Sequence, residues 1–398
     1  MPEQRTIILA LVHYYLPGFK AGGPIRSISN LVERLGDEFD LRIIAADRDF
    51  REDTPYTDVV IEGWNQVGKA QVYYLSPGVG SLRSLLRLIS DTPHDVLYLN
   101  SFFDPVFTQF PLWVRWLKLL KTKPIILAPR GELAPRSLSR KAWKKFPFMV
   151  IASSLGLYAD LTWQASTEHE ARDIRRAMGK TARRTTVAPI VIAQDLPPLP
   201  EEDAVSDRPP QEDGHQPLRL VFLARVSPSK NLDHALRILT RVRTQIDVTI
   251  NGPIDDKAYW RACQQLMTKL PANVSAHYDG VVAHSDVSSV LKTYDMLFLP
   301  TRSENYGHVI IESMLVGTPV LIADTTPWRN LEEAGVGWDV PLDSEQEFAQ
   351  RIDEAAQLAK EGRMPSRTKV QAYARARVLD PEILSANRRL FRQAAARD

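Results

Sequence analysis

Short apolar runs recur along this chain, each closed by Gly, Pro or a polar elbow. Between them lie stretches whose apolar residues repeat every three or four positions. TIILALV (6–12) is the first run, and 41–45, 72–75, 96–99 and 125–128 continue the series, with Trp163–Thr167 and Val187–Ala193 after them. Runs of this length and Val/Ile/Leu content predict parallel strands buried on both faces. The intervening stretches predict helices: Ile25, Ile28, Leu31, Val32 and Leu35 share one face, and 82–89, 111–123 and 168–178 follow. In 111–123 (PLWVRWLKLLKTK) core packing under a charged rim is expected, since Lys and Arg stems cover apolar surface. Residues 194–217 break the rhythm, being rich in Pro and acid, which is linker composition. The pattern then restarts, with strands at 220–224, 247–250, 295–299 and 320–322 and helices from Asn231, Gly307 and about Glu382. Strand–helix alternation on both sides of a linker predicts two doubly wound α/β domains: 1–195 and 218–375, joined by 196–217 and followed by a last helix in 376–398.

Composition narrows the function. With 50 Lys and Arg against 48 Asp and Glu, no polyelectrolyte signal for nucleic acid exists. Cys263 is the single cysteine, which excludes an internal disulfide and a cysteine metal cluster and suits a reducing, cytoplasmic setting. The opening apolar run is too short for a signal-peptide core, and no run reaches membrane-spanning length. Gly78-Val79-Gly80 lacks the third glycine of a dinucleotide fingerprint, and His169-Glu170 lacks the second histidine of a zinc motif. Neither a metal nor another cofactor is expected.

The chemistry gathers at strand ends. Leu297–Val320 (LFLPTRSENYGHVIIESMLVGTPV) reads as strand, polar elbow, glycine turn and helix. The first N–H groups of such a helix lack intrahelical acceptors and carry partial positive charge, which suits an anion. Glu304 and Glu312, eight positions apart, flank the turn. Carboxylates repel phosphate but accept hydrogen bonds from hydroxyls, and a sugar nucleotide presents hydroxyls on both sides of its diphosphate. On spacing alone, the reading of Glu312 as a solvated helix carboxylate and Glu304 as a helix-start acid stands ahead. Arg225 and Lys230 flank another strand-end loop, where two cations can grip a diphosphate and offset charge on a leaving group. Gly22-Gly23-Pro24 opens a helix after the first strand. In 128–150, Arg130-Gly131-Glu132 follows a strand, and Arg136, Arg140, Lys141, Lys144 and Lys145 interleave with Trp143, Phe146 and Phe148. That mixture suits an anionic membrane surface or an acceptor's diphosphate, or is a solvated basic helix face.

SENYGHVIIESMLVGTPV resembles the E-x7-E signature of retaining GT-B glycosyltransferases, the large family numbered four. Arg225 and Lys230 match that family's G-R-x-x-x-x-K element, with Ala224 in place of the glycine, and Gly22-Gly23 match its glycine loop. PRGEL with a basic helix resembles members that build bacterial surface polysaccharides. The resemblance implies two facing Rossmann-like domains with a C-terminal helix crossing back to the first. It implies transfer of a sugar, with retention, from a nucleotide diphosphate sugar to a saccharide or lipid-linked saccharide acceptor. It assigns donor binding to Gly22, Gly23, Arg225, Lys230, Val281, Glu304, Asn305, Tyr306, Gly307, His308, Val309 and Glu312, with Val281 near the base. Catalysis would rest on Glu304, Arg225, Lys230 and Arg130, Glu304 orienting the sugar and Glu312 the ribose. Two departures stand out: Arg130 occupies a loop where relatives hold a histidine, and Val191-Ile192-Ala193 replaces an Asn-Gly turn. A sugar-nucleotide epimerase on the same fold and a non-catalytic nucleotide-sugar-binding assembly protein remain as alternatives. A cytoplasmic protein resting on the inner membrane face is expected.

Overall fold

The computed structural model describes residues 5–78, 80–121, 123–181, 189–198 and 216–397. The chain divides into two compact units, Met1–Leu196 with Pro381–Asp398, and Pro197–Asp380. Residues 199–215, the larger part of the linker expected from composition, lie outside the described residues, as do the first two of the run 187–193.

Unit 1 is an eight-stranded sheet. Its strands are β1 (Ile7–Leu11), β2 (Asp40–Ala46), β3 (Trp64–Val67), β4 (Ala70–Leu75), β5 (Val96–Leu99), β6 (Ile125–Leu127), β7 (Leu161–Ala165) and β8 (Ile190–Ile192). The spatial order is β3-β4-β2-β1-β5-β6-β7-β8. The continuous apolar runs are explained by burial on both faces. In β1, Leu9 and Leu11 enter one core, while Ile8 and Ala10 enter the other. β3 is antiparallel to β4 at the edge, and no apolar run announces it, because Trp64 and Gln66 point to solvent. The helix Gly23–Leu35 buries Ile25, Ile28, Leu31, Val32 and Leu35, the face read from the sequence.

Two helices differ from expectation. The stretch 111–123 forms a helix only over Phe110–Trp116, after a π-helical turn at Pro105–Gln109. Lys118 then adopts a left-handed backbone, φ 59°, which ends the helix. Leu112 and Val114 enter the core as expected, but Trp116, Leu117 and Leu119 face solvent. The basic segment is two helices, Pro135–Ser139 and Ala142–Ser154, broken where Lys141 also turns left-handed.

The last helix, Pro381–Ala395, belongs to unit 1. Phe391 packs against Phe39 and Tyr98, with ring centroids at 5.6 and 5.4 Å. Arg388 grips Glu38 through Nη2–Oε1 at 2.5 Å and Nε–Oε2 at 2.8 Å. Asn387 donates to the Gln194 carbonyl at 2.9 Å.

Unit 2 has six parallel strands: β9 (Leu218–Leu223), β10 (Ile246–Asn251), β11 (Val274–Tyr278), β12 (Met296–Leu299), β13 (Val320–Ala323) and β14 (Gly337–Val340). Their order is β11-β10-β9-β12-β13-β14. Among the described residues no helix is long and apolar enough to cross a membrane.

Candidate active site

In unit 2 the chain winds outward in one direction from β9 and in the other from β12, so strand order reverses between these neighbours. The loops leaving the carboxyl ends of such a pair diverge and open a crevice, the usual ligand position in open α/β sheets. Arg225 and Lys230 lie on the loop after β9, and Thr301–Gly307 follow β12. The sequence motifs thus occupy the reversal point itself.

Four hydrogen bonds tie the two loops. Arg302 N donates to the Ser229 carbonyl at 3.1 Å, and Thr301 Oγ1 to the same carbonyl at 3.2 Å. Asn231 Nδ2 reaches the Pro300 carbonyl at 2.9 Å, while Arg302 Nε donates to Asn231 Oδ1 at 2.7 Å. Across this frame Lys230 Nζ donates to Glu304 Oε1 in an ion pair whose side chains are only 21% and 10% exposed. Arg225 Nη1 lies 3.9 Å from Asp255 Oδ2.

Gly307 caps the helix His308–Leu315 with φ 81°, and a Cβ there would lie 2.8 Å from Ile310 Cδ1. Both the left-handed backbone and the crowding require glycine. Glu312, in the second turn, is 8% exposed, so the reading as a solvated helix carboxylate fails. His308 is buried as well, while Asn305 and Val309 are partly accessible. Tyr306 is 3% exposed; its ring meets Trp328 edge-on at 5.6 Å, and its carbonyl accepts from Trp328 Nε1 at 2.7 Å. The Tyr306 side chain thus packs inside the loop. Val281 stands 41% exposed beyond β11, after Gly280. Gly252 closes this side: its N–H donates to the Gly280 carbonyl at 2.8 Å, and a Cβ would lie 2.0 Å from the Ala224 carbonyl oxygen. Among the described residues, no three His, Cys, Asp or Glu side chains converge to hold a metal ion.

The remaining candidates lie in unit 1. Gly22, with φ 68°, caps the helix Gly23–Leu35, and a Cβ there would meet nothing within 4 Å, so backbone conformation alone selects glycine. Arg130, expected to be catalytic, lies in unit 1. Its guanidinium is spent on Asn100 Oδ1, on Asp195 Oδ1 and, at 2.6 Å, on the Tyr98 hydroxyl. Asp195 also accepts from Ser27 Oγ at 2.8 Å, inside the first turns of the Gly23–Leu35 helix. Arg130, its side chain 10% exposed, links these strand ends to that helix through Asp195. The sequence reading passed over His13 and Asp104, which the fold brings to 2.6 Å from each other. The signal available was position: His13 is a titratable residue just beyond the first strand, as Arg225 is beyond β9.

Comparison with known proteins agrees with this architecture. Residues 206–377 match the family model for glycosyl transferases group 1. A D-inositol 3-phosphate glycosyltransferase from Jonesia denitrificans is 26% identical over 172 residues, 40% of this chain and 40% of that one. HepE from Anabaena, solved with UDP and glucose, is 16% identical and superposes with a TM-score of 0.65 over 98% of this chain and all of that one. Sucrose-phosphate synthase from Thermosynechococcus elongatus gives 16% identity and 0.67 over 99% and 100%. The chain has the GT-B fold.

Proposed function

We propose that the protein transfers a sugar from a nucleotide diphosphate sugar to an acceptor hydroxyl with retention of anomeric configuration. The observation that carries this reading is the convergence at the β9/β12 reversal of Arg225, the Lys230–Glu304 pair and the N-terminus of His308–Leu315. Two cations and a helix N-terminus balance a diphosphate as its charge grows on leaving. Glu304 accepts hydrogen bonds from the donor sugar, and Glu312 from the ribose. Asn305, Gly307, His308 and Val309 line the diphosphate's path, with Val281 toward the base, and Gly22 and Gly23 are the glycines of the family's diphosphate loop. The leaving phosphate guides the acceptor to the face it vacates, so no covalent glycosyl-enzyme is required and no metal is needed.

A uridine diphosphate sugar is the first donor to try, since HepE was solved with UDP and glucose. The PRGEL resemblance supports a product in surface polysaccharide, lipopolysaccharide or glycolipid. An inner-membrane, cytoplasmic setting is supported by Trp143, Phe146 and Ile151, which are 74%, 59% and 57% exposed on the helix that carries Lys144. Trp116 joins them by donating Nε1–H to the Leu155 carbonyl at 2.8 Å. Exposed aromatics beside lysines suit an anionic lipid surface.

Incubation with a donor panel and cell-envelope saccharides tests the activity. Nucleoside diphosphate released only when acceptor is present, with an α-linked product from an α-donor by NMR, is expected. Donor conversion without acceptor would indicate an epimerase instead, and donor binding without turnover an assembly protein.

A further inference from the structure

The turn that opens the helix His308–Leu315 depends on one peptide unit, the one between Tyr306 and Gly307. Because a trans peptide is planar, its carbonyl and its N–H point in opposite directions, and fixing one aims the other. The Tyr306 carbonyl accepts from Trp328 Nε1 at 2.7 Å. Trp328 is 5% exposed and belongs to the core of unit 2, so this carbonyl faces the interior. The Gly307 N–H therefore faces away from the core. Among the described residues no hydrogen bond engages it, although Gly307 is buried. A buried N–H without an acceptor is rare, and this one stands at a helix start, where an anion supplies the acceptor.

Glycine makes this peptide easy to turn over. A flip changes ψ of Tyr306 and φ of Gly307, and glycine accepts either sign of φ. The flipped peptide would present its carbonyl where the N–H now stands, and a carbonyl repels phosphate. The observed φ of 81° is thus one of two accessible states, and the indole selects it. The indole is itself held in place. Its ring meets Tyr306 edge-on at 5.6 Å, and Trp328 N donates to Thr326 Oγ1 at 3.3 Å. Asp339 of β14 pins the chain just beyond, accepting from Leu331 N at 2.8 Å, Asn330 N at 3.2 Å and Arg329 Nε at 3.1 Å. Thr325 Oγ1 donates to the Thr301 carbonyl at 2.6 Å and ties the loop after β13 to the loop after β12. The loop that carries Trp328 is therefore anchored to the sheet at both ends.

We propose that Trp328 is a positioning residue for the diphosphate. Its indole N–H holds the Tyr306–Gly307 peptide so that the Gly307 N–H donates to a phosphate oxygen of the donor. The role rests on the transferase reading above and lies wholly within unit 2. The indole touches no substrate and acts through the peptide alone.

The test separates the indole's N–H from its bulk, in the full chain. Trp328→Phe keeps an aromatic ring against Tyr306 but has no donor. Trp328→His loses bulk, yet its Nε2 holds the same place in a five-membered ring as the indole nitrogen and can donate. Calorimetric titration uses UDP and uridine, or, where the parent binds GDP, ADP or dTDP more tightly, that diphosphate and its nucleoside. Melting temperatures are recorded alongside. Trp328→Phe is expected to lose about tenfold or more in diphosphate affinity, the scale of one hydrogen bond to a charged group, with nucleoside affinity within about threefold of the parent. Trp328→His is expected to melt at a lower temperature than Trp328→Phe and still bind the diphosphate about threefold or more tightly than it does. Unchanged diphosphate affinity in Trp328→Phe, an equal loss for nucleoside and diphosphate, or no advantage of Trp328→His over Trp328→Phe each overturns the role while leaving the transferase reading intact. If Trp328→Phe does not fold, Trp328→His decides alone, and a loss of about tenfold or more in its diphosphate affinity overturns the role. A parent that binds none of these diphosphates overturns both.

Discussion

Replacing Glu304 by Gln removes one charge and almost no bulk from the loop after β12. In the unliganded protein that charge is bound to the Lys230 ammonium, both side chains being largely out of water. A diphosphate that recruits Lys230 must loosen this charge-assisted bond, worth about 1.5–3 kcal/mol. It must also tolerate the carboxylate nearby: at an effective dielectric of 20, like charges about 8 Å apart cost about 2 kcal/mol. Both effects oppose diphosphate binding and both vanish in Glu304→Gln. The variant should therefore bind UDP as well as the parent or up to about tenfold tighter, a gain of about 1.4 kcal/mol. Turnover should move the other way. If Glu304 holds the sugar while charge develops at the anomeric carbon, its loss should cost about 10²–10³ in kcat, as for other preorganised electrostatic contacts. Glu312→Gln is the comparison: a buried carboxylate on the ribose side should weaken UDP and donor alike by about 1–3 kcal/mol. Calorimetric titration with UDP, followed by steady-state kinetics, separates the two. If Glu304→Gln loses UDP affinity as badly as Glu312→Gln, the division of sugar and ribose between them is wrong.

Four further outcomes follow. Transfer should survive EDTA at full rate, and dependence on added magnesium or manganese would refute charge balance by Arg225, Lys230 and the helix N-terminus alone. Lys144→Gln should weaken binding to vesicles of anionic phospholipid by about 1 kcal/mol for the charge lost, measured by co-sedimentation. Lys145 is the wrong choice for that experiment, because its ammonium donates to the Ser137 carbonyl at 2.7 Å and sits over the Phe103 ring. Burial, first among its causes, pushes the Cys263 thiol up from 9.0 to about 11, so a thiol reagent at pH 8 should label it only after unfolding. With the folded value above the unfolded one, the associated stability is present below pH 9 and disappears as pH rises through 11. Phe391→Ala should cost about 3–5 kcal/mol in urea unfolding, with unit 1 peptides appearing first in limited proteolysis.

What the sequence disclosed was whatever depends on neighbours along the chain. Strands buried on both faces must be continuously apolar, so β1, β9 and β12 were legible, and loops at their ends carried Arg225, Lys230 and Glu304. Edge strand β3 alternates in exposure and left no such trace. The helix breaks at Lys118 and Lys141 rest on left-handed backbone at residues that do not ordinarily favour it. Arg130 stood out because its loop follows a strand, while its partner Asp195, 65 residues away, left no local trace. His13 stayed silent for the same reason, since its partner is 91 residues distant. Glu312 lies between these cases: its place on a helix was readable, its burial was not.

The return of Pro381–Ala395 to unit 1 has a consequence for biosynthesis. The sheet of unit 1 is encoded first, but Leu390, Phe391 and Ala394 belong to one of its cores. A ribosome delivers them only after every residue of unit 2. Unit 2 is contiguous and possesses its complete sequence earlier, while the surface around Phe39 and Tyr98 waits uncovered through nearly 200 residues of further synthesis, the length of the segment Pro197–Asp380. The part of the protein made first is thus the last able to mature, and a nascent chain halted before residue 381 would present that apolar surface to chaperones.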